Sequence, residues 1–305
     1  MEVKYIANQD IDIKKWDNCI HRSVNGIVYA YSWYLQIVNP NWDALVLNDY
    51  EAVMPLTWKK KLGVPYLYQP FFTQQGGVFS PHRLTPELVN TFIEKIPPHF
   101  KYVTINLNTF NRCDLSEPDI SDRLTYELDL IEPYEKLARK FSTNTIRNIK
   151  HANQKNIKVV QGLAVKDLVD FKRKNQLVSI GYGNYNRLKQ IMAFSLANGS
   201  GRIYGAYSEN NQLCATAFFI GSHNKVIYLV SSSNQEGKQN RAMFLIIDQF
   251  IREHAGNHLT LDFEGSMIPS VARFFQGFGS TPCYYQHIHL NRLPWWVKLL
   301  KKYRK

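Results

Sequence analysis

Cysteine is scarce in this chain of 305 residues: Cys19, Cys113, Cys214 and Cys283 are widely spaced and form no CxxC pair. A disulfide framework is not expected in a chain this large and this poor in cysteine, so the four read as structural thiols in a reducing compartment. No apolar run reaches the roughly 18–20 residues a membrane-spanning helix requires. The opening Met1-Glu2-Val3-Lys4-Tyr5 mixes charges and reads as a strand. It has no basic stretch leading into an apolar core, so no export signal is expected and the cytoplasm is the expected location. Histidine and cysteine show no metal-ligand spacing; Cys283, His287 and His289 are scattered along one strand, and no metal is expected. The absence of a GxSxG elbow argues against a serine hydrolase. The absence of GxGxxG and of a P-loop argues against dinucleotide binding and nucleotide hydrolysis. No short-period repeat is present.

What is present is ample core material, with 45% hydrophobic and 13% aromatic residues against 20% charged. That composition fits a globular chain, and its length fits two domains. The formal charge is +12. Residues 136–158 hold seven Lys/Arg and no acid, residues 265–305 hold seven more and no acid, and the remainder is close to neutral. Charge concentrated in this way points to a local anionic partner: a phosphate-bearing cofactor, RNA or an anionic membrane surface. Two solvated basic faces are the plainer alternative.

The first part reads as mixed α/β. Two short helices are expected within 13–38, strands at Trp42–Val46 and Ala52–Trp58, and a strand-loop-strand across 64–80. A helix begins at Thr85-Pro86-Glu87, and strands follow at Val103–Leu107 and about Arg123–Leu130. A helix is then expected from Pro133 to about Ala152. The second part reads strand 157–160, helices 165–179 and 187–198, strands 202–207, 213–220 and 225–230, and a polar loop at 231–240. Helix 242–252, strand 259–263, helix 267–276 and strand 284–290 complete it. Three hairpin-linked strands followed by βαβ give a mixed sheet with helices on both faces.

Three segments within residues 134–290 carry a resemblance. Phe141-Ser-Thr-Asn-Thr-Ile-Arg147-Asn-Ile-Lys150-His-Ala resembles a basic helix with a Ser/Thr-rich start. Leu261-Asp262-Phe263-Glu264-Gly265 resembles an Asp-Phe-x-Gly strand end. Arg273-Phe274-Phe275-Gln276-Gly277-Phe278-Gly279 resembles a Phe-Lys-x-x-Phe-Gly helix end. Together with the element order they resemble the FemABX branch of the GNAT acyltransferase superfamily. The resemblance implies an α/β fold (an α+β mixed sheet) of two tandem GNAT-like domains. The expected divisions are an acceptor-side domain at 1–130, a donor-site domain at 131–290 and a basic aromatic tail at 291–305. It also implies transfer of an acyl or aminoacyl group to an amine. Most GNAT enzymes use acyl-CoA, the donor slightly favoured here, whereas FemABX members use aminoacyl-tRNA. A catalytically silent module on the same fold is the alternative.

In the CoA enzymes the loop before a helix binds pyrophosphate through backbone N–H groups. The equivalent stretch here offers Ser231, Ser232, Ser233, Lys238, Gln239, Asn240 and Arg241, but Asn240 and Gly237 depart from the usual Gln/Arg-x-x-Gly-x-Gly/Ala pattern. Strict alternation places Asp262 and Glu264 on one strand face, where a carboxylate of raised pKa can deprotonate an acceptor ammonium. Glu264 is the first choice and Asp262 the second; capping of the following helix is the structural alternative. Where many GNAT enzymes carry a tyrosine acid, the matched position is Phe275, which has no proton to give; that fits a tRNA ester or protonation of the leaving group by water. Arg147 and Lys150, three apart on a helix, are candidate phosphate or RNA contacts. Tyr182 and Tyr185, in a glycine-bearing loop, are candidates for the acceptor side. The acceptor is expected to be a small-molecule amine, a cell-wall precursor or a lipid head group. Residues 294–305, with paired tryptophans and a basic cluster, suit contact with the inner face of an anionic membrane.

Overall fold

The computed structural model describes residues 2–176, 179–265 and 267–294. Two compact units divide it: residues up to 123 together with those from 284 onward, and residues 124–283. In chain order the first unit forms β1 (Val3–Ile6), α1 (Ile13–Arg22), α2 (Ser32–Val38), β2 (Asp43–Leu47), β3 (Ala52–Leu56), β4 (Trp58–Lys61), β5 (Val64–Leu67), α3 (Pro86–Glu94) and β6 (Tyr102–Asn106). Strand β7 (Asp119–Asp129) carries the chain into the second unit. That unit contains α4 (Tyr134–Arg139), α5 (Thr143–Gln154), β8 (Lys158–Gln161), α6 (Val165–Lys174), α7 (Tyr182–Ala197), β9 (Gly201–Tyr207), β10 (Leu213–Ser222) and β11 (Lys225–Ser233). It continues with α8 (Gln235–Gln239), α9 (Ala242–His254), β12 (Thr260–Gly265) and α10 (Pro269–Gln276), and β13 (Thr281–Asn291) returns the chain to the first.

The first unit has an antiparallel β1-β2-β3 sheet and a second run of strands in the order β4-β5-β6-β13. Helix α3 starts as its sequence dictates, with the Thr85 side chain accepting from the Leu88 N–H and Pro86 in the first turn. It buries Val89, Phe92 and Ile93 in a core with Leu45, Met54, Leu67, Phe100, Val103 and Ile288. Because β13 pairs with β6 (His287 opposite Asn106, Leu290 opposite Val103), residues 284–290 belong to this unit and not, as linear reading placed them, to the domain they follow. The first division likewise falls at 123/124 rather than 130.

In the second unit the order is β7-β12-β11-β10-β9-β8, antiparallel except for the parallel pair β11–β12. Helix α9 is the crossover between those two parallel strands, as a parallel pair requires. Its Phe250 stacks on Phe219 of β10 with ring centroids 4.0 Å apart, and Phe275 of α10 stacks on Phe263 of β12 at 4.8 Å. Each such buried ring contributes about 1.5–3 kcal/mol. Alternate residues Ala215, Ala217 and Phe219 enter that core, while Thr216 and Phe218 are buried outside it. Helix α6 packs against β9, β10 and β11, and α7 against β9.

Two expectations change. The single helix over 133–152 is two, because the Ser142 hydroxyl caps α5 at the Thr145 N–H while the Ser142 N–H donates to the Gly277 carbonyl. The polar loop at 231–240 is the end of β11 followed by helix α8. Asn234 caps that helix at the Gly237 N–H, 2.8 Å away, and the helix lies on β10. A Cβ on Gly237 would come within 2.1 Å of the Cys214 carbonyl oxygen. Gly237→Ala is therefore expected to destabilise the protein by about 1–3 kcal/mol, read as a shift of the denaturation midpoint at unchanged slope.

Candidate active site

The ladder between β11 and β12 covers Lys225–Thr260, Val226–Leu261 and Ile227–Asp262. Beyond it β11 continues to Ser233 and β12 to Gly265. The two strands thus stop pairing with each other and part in a wedge. On the β12 arm, the pairing with β7 shifts register between Asp262 and Gly265, a β-bulge, and Glu264 takes φ +58°. A non-glycine residue in the left-handed region is uncommon and persists only where its surroundings hold it.

Asp262 does the holding. Its Oδ1 accepts from the Glu264 N–H at 2.9 Å and from the Thr125 hydroxyl at 2.6 Å. Lys225 Nζ stands 3.8 Å from its Oδ2 and 2.5 Å from Glu127 Oε1. Asp262 is 1% exposed, and burial raises its pKa while the lysine lowers it. The bulge ends the alternation assumed for Asp262 and Glu264: the first carboxylate is a buried anchor and the second sits on a turned backbone. Glu264 keeps partial solvent access, yet burial pushes its pKa up to about 8. Desolvation alone thus brings a carboxylate close to titrating at neutrality.

On the β11 arm, Ser231, Ser232 and Ser233 are half-buried strand residues. Lys172 of α6 donates from Nζ to the Ser231 carbonyl at 3.3 Å, and burial lowers its pKa. Nothing in the sequence singled out Lys172, one base among the three that close α6. Within α8, backbone N–H groups are already used: Lys238 donates to Asn234, Asn240 to Glu236 and Arg241 to Lys238. Lys238, Gln239 and Arg241 are exposed and Asn240 half-buried just before α9. Arg241 itself is left-handed at φ +60°. What remains for an anion is the start of α9 flanked by two exposed bases.

Phe275 is buried, with Tyr126 and Tyr228 ring centroids 6.3 and 6.1 Å away. Burial raises the Tyr228 pKa, opposed by a hydrogen bond with the Ser231 side chain; Tyr126 accepts from Gln276 Nε2 at 3.1 Å. Two phenols therefore adjoin the ring that lacks one, which no sequence spacing revealed. Arg147 and Lys150 are exposed on α5, with Arg147 donating to its own helix's Asn144 at 3.0 Å. The loop expected around Tyr182 and Tyr185 is the first turn of α7. Tyr182 is 75% exposed there, whereas Tyr185 is buried and hydrogen-bonded to Gln176. Of the expected tail, residues 295–305 lie outside the described residues. Among the described residues no group of three His, Cys, Asp or Glu converges on a metal position, and no helix is long and apolar enough to cross a membrane.

A mixed sheet split by a wedge after a βαβ crossover defines the GNAT class of fold, and the chain has the FemABX-like form of it. It is similar in structure to FemX over 100% of both chains (TM-score 0.64, 13% identity). It is also similar to a conserved protein of unknown function from Bacteroides thetaiotaomicron, over 92% of this chain and 97% of that one (TM-score 0.59, 11% identity). A third similarity is to the C-terminal domain of a protein assigned as a lysylphosphatidylglycerol synthetase from Agrobacterium fabrum, over 97% and 96% (TM-score 0.53, 9% identity). No protein-family profile and no curated sequence relative matches the chain.

The raised Glu264 pKa has a consequence for stability. Between its ordinary value of 4.5 and about 8 the folded chain keeps a proton that the unfolded chain has released. Stability from this group is thus fully present at low pH and is lost as pH rises through that window. Glu264→Gln is expected to leave Tm near wild type at pH 4 and to raise it at pH 9; thermal scans at both pH values check this.

Proposed function

We propose that this protein transfers an acyl or aminoacyl group from an activated, phosphate-bearing donor to an amine. The observation that supports this most directly is Glu264, a carboxylate with its pKa near 8 on a strained bulge at the mouth of the β11–β12 wedge. In this reading Glu264 accepts the proton of the acceptor ammonium and the freed lone pair attacks the donor carbonyl. The bond to the leaving sulfur or oxygen breaks, and that atom takes a proton from Tyr228, Tyr126 or water. Asp262 is a positioning residue that fixes Glu264 through its backbone N–H. Lys172, held at the edge of β11, supplies positive charge beside the developing oxyanion. Lys238, Arg241 and the start of α9 meet the donor phosphates, with Ser231, Ser232, Ser233, Gln239 and Asn240 beside them. Tyr182 is offered to the acceptor, and Arg147 and Lys150 to a longer phosphate-bearing donor.

Acyl-CoA is one donor consistent with this arrangement. Aminoacyl-tRNA is the second, favoured by the folding of α8, which consumes backbone N–H groups that a pyrophosphate loop would present. For the acceptor, the lysylphosphatidylglycerol synthetase among the structures of this fold makes a lipid a candidate beside a cell-wall precursor or a small amine. Calorimetry with acyl-CoA and with aminoacylated and deacylated tRNA, at one fixed salt concentration, separates the donors. Binding of neither would leave a silent module on this fold.

With a turning-over donor and acceptor, kcat/KM of the wild type should rise to a plateau above pH 8, as Glu264 ionises with its pKa of about 8. Glu264→Gln should lower it by about 10²–10⁴-fold and abolish that rise. Unchanged activity in the variant would remove Glu264 as the base. Lys172→Met should reduce kcat with little change in KM, and Lys172→Arg should restore part of it.

A further inference from the structure

The β4–β5 hairpin of the first unit joins Lys61 to Val64 through Leu62 and Gly63, with Lys59 opposite Tyr66, Lys60 opposite Pro65 and Lys61 opposite Val64. Both turn residues are left-handed, Leu62 at φ +50° and Gly63 at φ +77°. A two-residue turn of this kind favours asparagine followed by glycine, because a side chain at the first position must tolerate positive φ. Leucine does so poorly, and folding recovers nothing from it, since Leu62 is 95% exposed. Neither turn geometry nor the core accounts for an aliphatic residue at this tip.

Charge frames the tip. All six residues from Lys59 to Val64 are exposed, and Val64 adds apolar surface at 37%. Lys60 lies over the Trp58 ring at 5.5 Å and Lys59 over the Tyr68 ring at 4.3 Å. The sequence contains no acid from Ala52 to Pro86. Register extends the patch across the sheet. Tyr66 pairs with Tyr102 on β6, and Tyr102 pairs with Asn291 on β13, so the hairpin tip and the end of β13 leave the same end of the sheet. The Arg292 N–H donates to the Lys101 carbonyl at 2.7 Å, which brings two more exposed bases there. The sequence after Pro294, WWVKLLKKYRK, has the same composition of aromatics, leucine and lysine, again without an acid.

We propose that this hairpin is a membrane-docking element: Leu62 and Val64 enter the acyl boundary of an anionic bilayer while Lys59, Lys60, Lys61, Lys101 and Arg292 meet lipid phosphates. An aliphatic finger ringed by cations fits a lipid surface better than a nucleic acid, which offers Leu62 no apolar phase; the rings beside the cations, Trp58 and Tyr68, are half-buried and covered by Lys60 and Lys59. One short interfacial signal gives only marginal binding and stable attachment takes two. The hairpin supplies a signal separate in sequence from the tail. The inference does not rest on the acyl-transfer reading, and a failed transfer assay leaves it standing.

The test is co-sedimentation of the full chain with vesicles of phosphatidylcholine, with and without phosphatidylglycerol. Binding should require phosphatidylglycerol and weaken as salt is raised. Leu62→Asn suits the turn, so its Tm should equal or exceed that of the wild type, while its vesicle partition falls about tenfold. Lys60→Gln and Lys61→Gln should each lower partition about fivefold. Partition unaffected by Leu62→Asn, equal binding to phosphatidylcholine alone, or tight binding of single-stranded RNA by the wild type and Leu62→Asn alike without vesicle binding would each overturn the proposal.

Discussion

The candidate site depends on one buried carboxylate. Asp262 lies at the last rung of the β11–β12 ladder, and its Oδ1 accepts the amide of the residue two positions on. That bond stabilises the bulge, and the bulge turns Glu264 out of strand register. A charge this deep is costly unless several partners share it. Thr125 of β7 and Lys225 of β11 are those partners, from the strands on either side, while Glu127 of β7 opposes the charge and competes for the same lysine. The sheet order of the second unit is therefore also the wiring of its electrostatics.

The same logic explains why the two carboxylates differ. Burial raises the pKa of both; at Asp262 the Lys225 ammonium, the Thr125 hydroxyl and the Glu264 N–H oppose that rise. Burial dominates at Glu264, and its pKa rises to about 8. Environment, not residue type, makes one the anchor of the bulge and brings the other's pKa near neutrality, the property the proposed reaction uses. Lys172 is the cationic counterpart on the opposite arm, where burial lowers the pKa of its ammonium.

Both units pair aromatic rings in their cores and both leave some large apolar side chains in solvent. The second stacks Phe219 on Phe250 and Phe263 on Phe275, leaving the rings around its wedge well packed. The first buries Trp16 against Trp42 at 4.7 Å, yet leaves Leu62 standing in solvent on a turn that does not favour it. A departure from local preference without a packing reason is the kind of feature that marks an interaction surface.

Most elements of the second unit were legible in the sequence, because hairpin-linked strands alternate, α9 is strongly apolar and Gly, Asn and Pro mark the turns. The GNAT-like order followed from them, and Glu264 was legible as an acidic residue at a strand end. Local pattern does not encode what happens when strands from distant segments meet. Alternation put Asp262 and Glu264 on one face, but the bulge depends on Thr125, 137 positions away from Asp262. The stretch 231–240 read as a loop because it is polar, whereas its helix is held by packing of Gly237 against the Cys214 backbone. Lys172, Tyr126 and Tyr228 carried no motif, since only the fold brings them to the wedge or to Phe275. A linear boundary could not show that β13 returns to the first unit, because strand pairing is a property of the sheet and not of the segment. The sequence by itself determined the periodicities, the charge blocks and the class of fold; the tertiary structure decided how each desolvated carboxylate is partnered and which lysine is buried, because desolvation exists only once the chain has closed around the group.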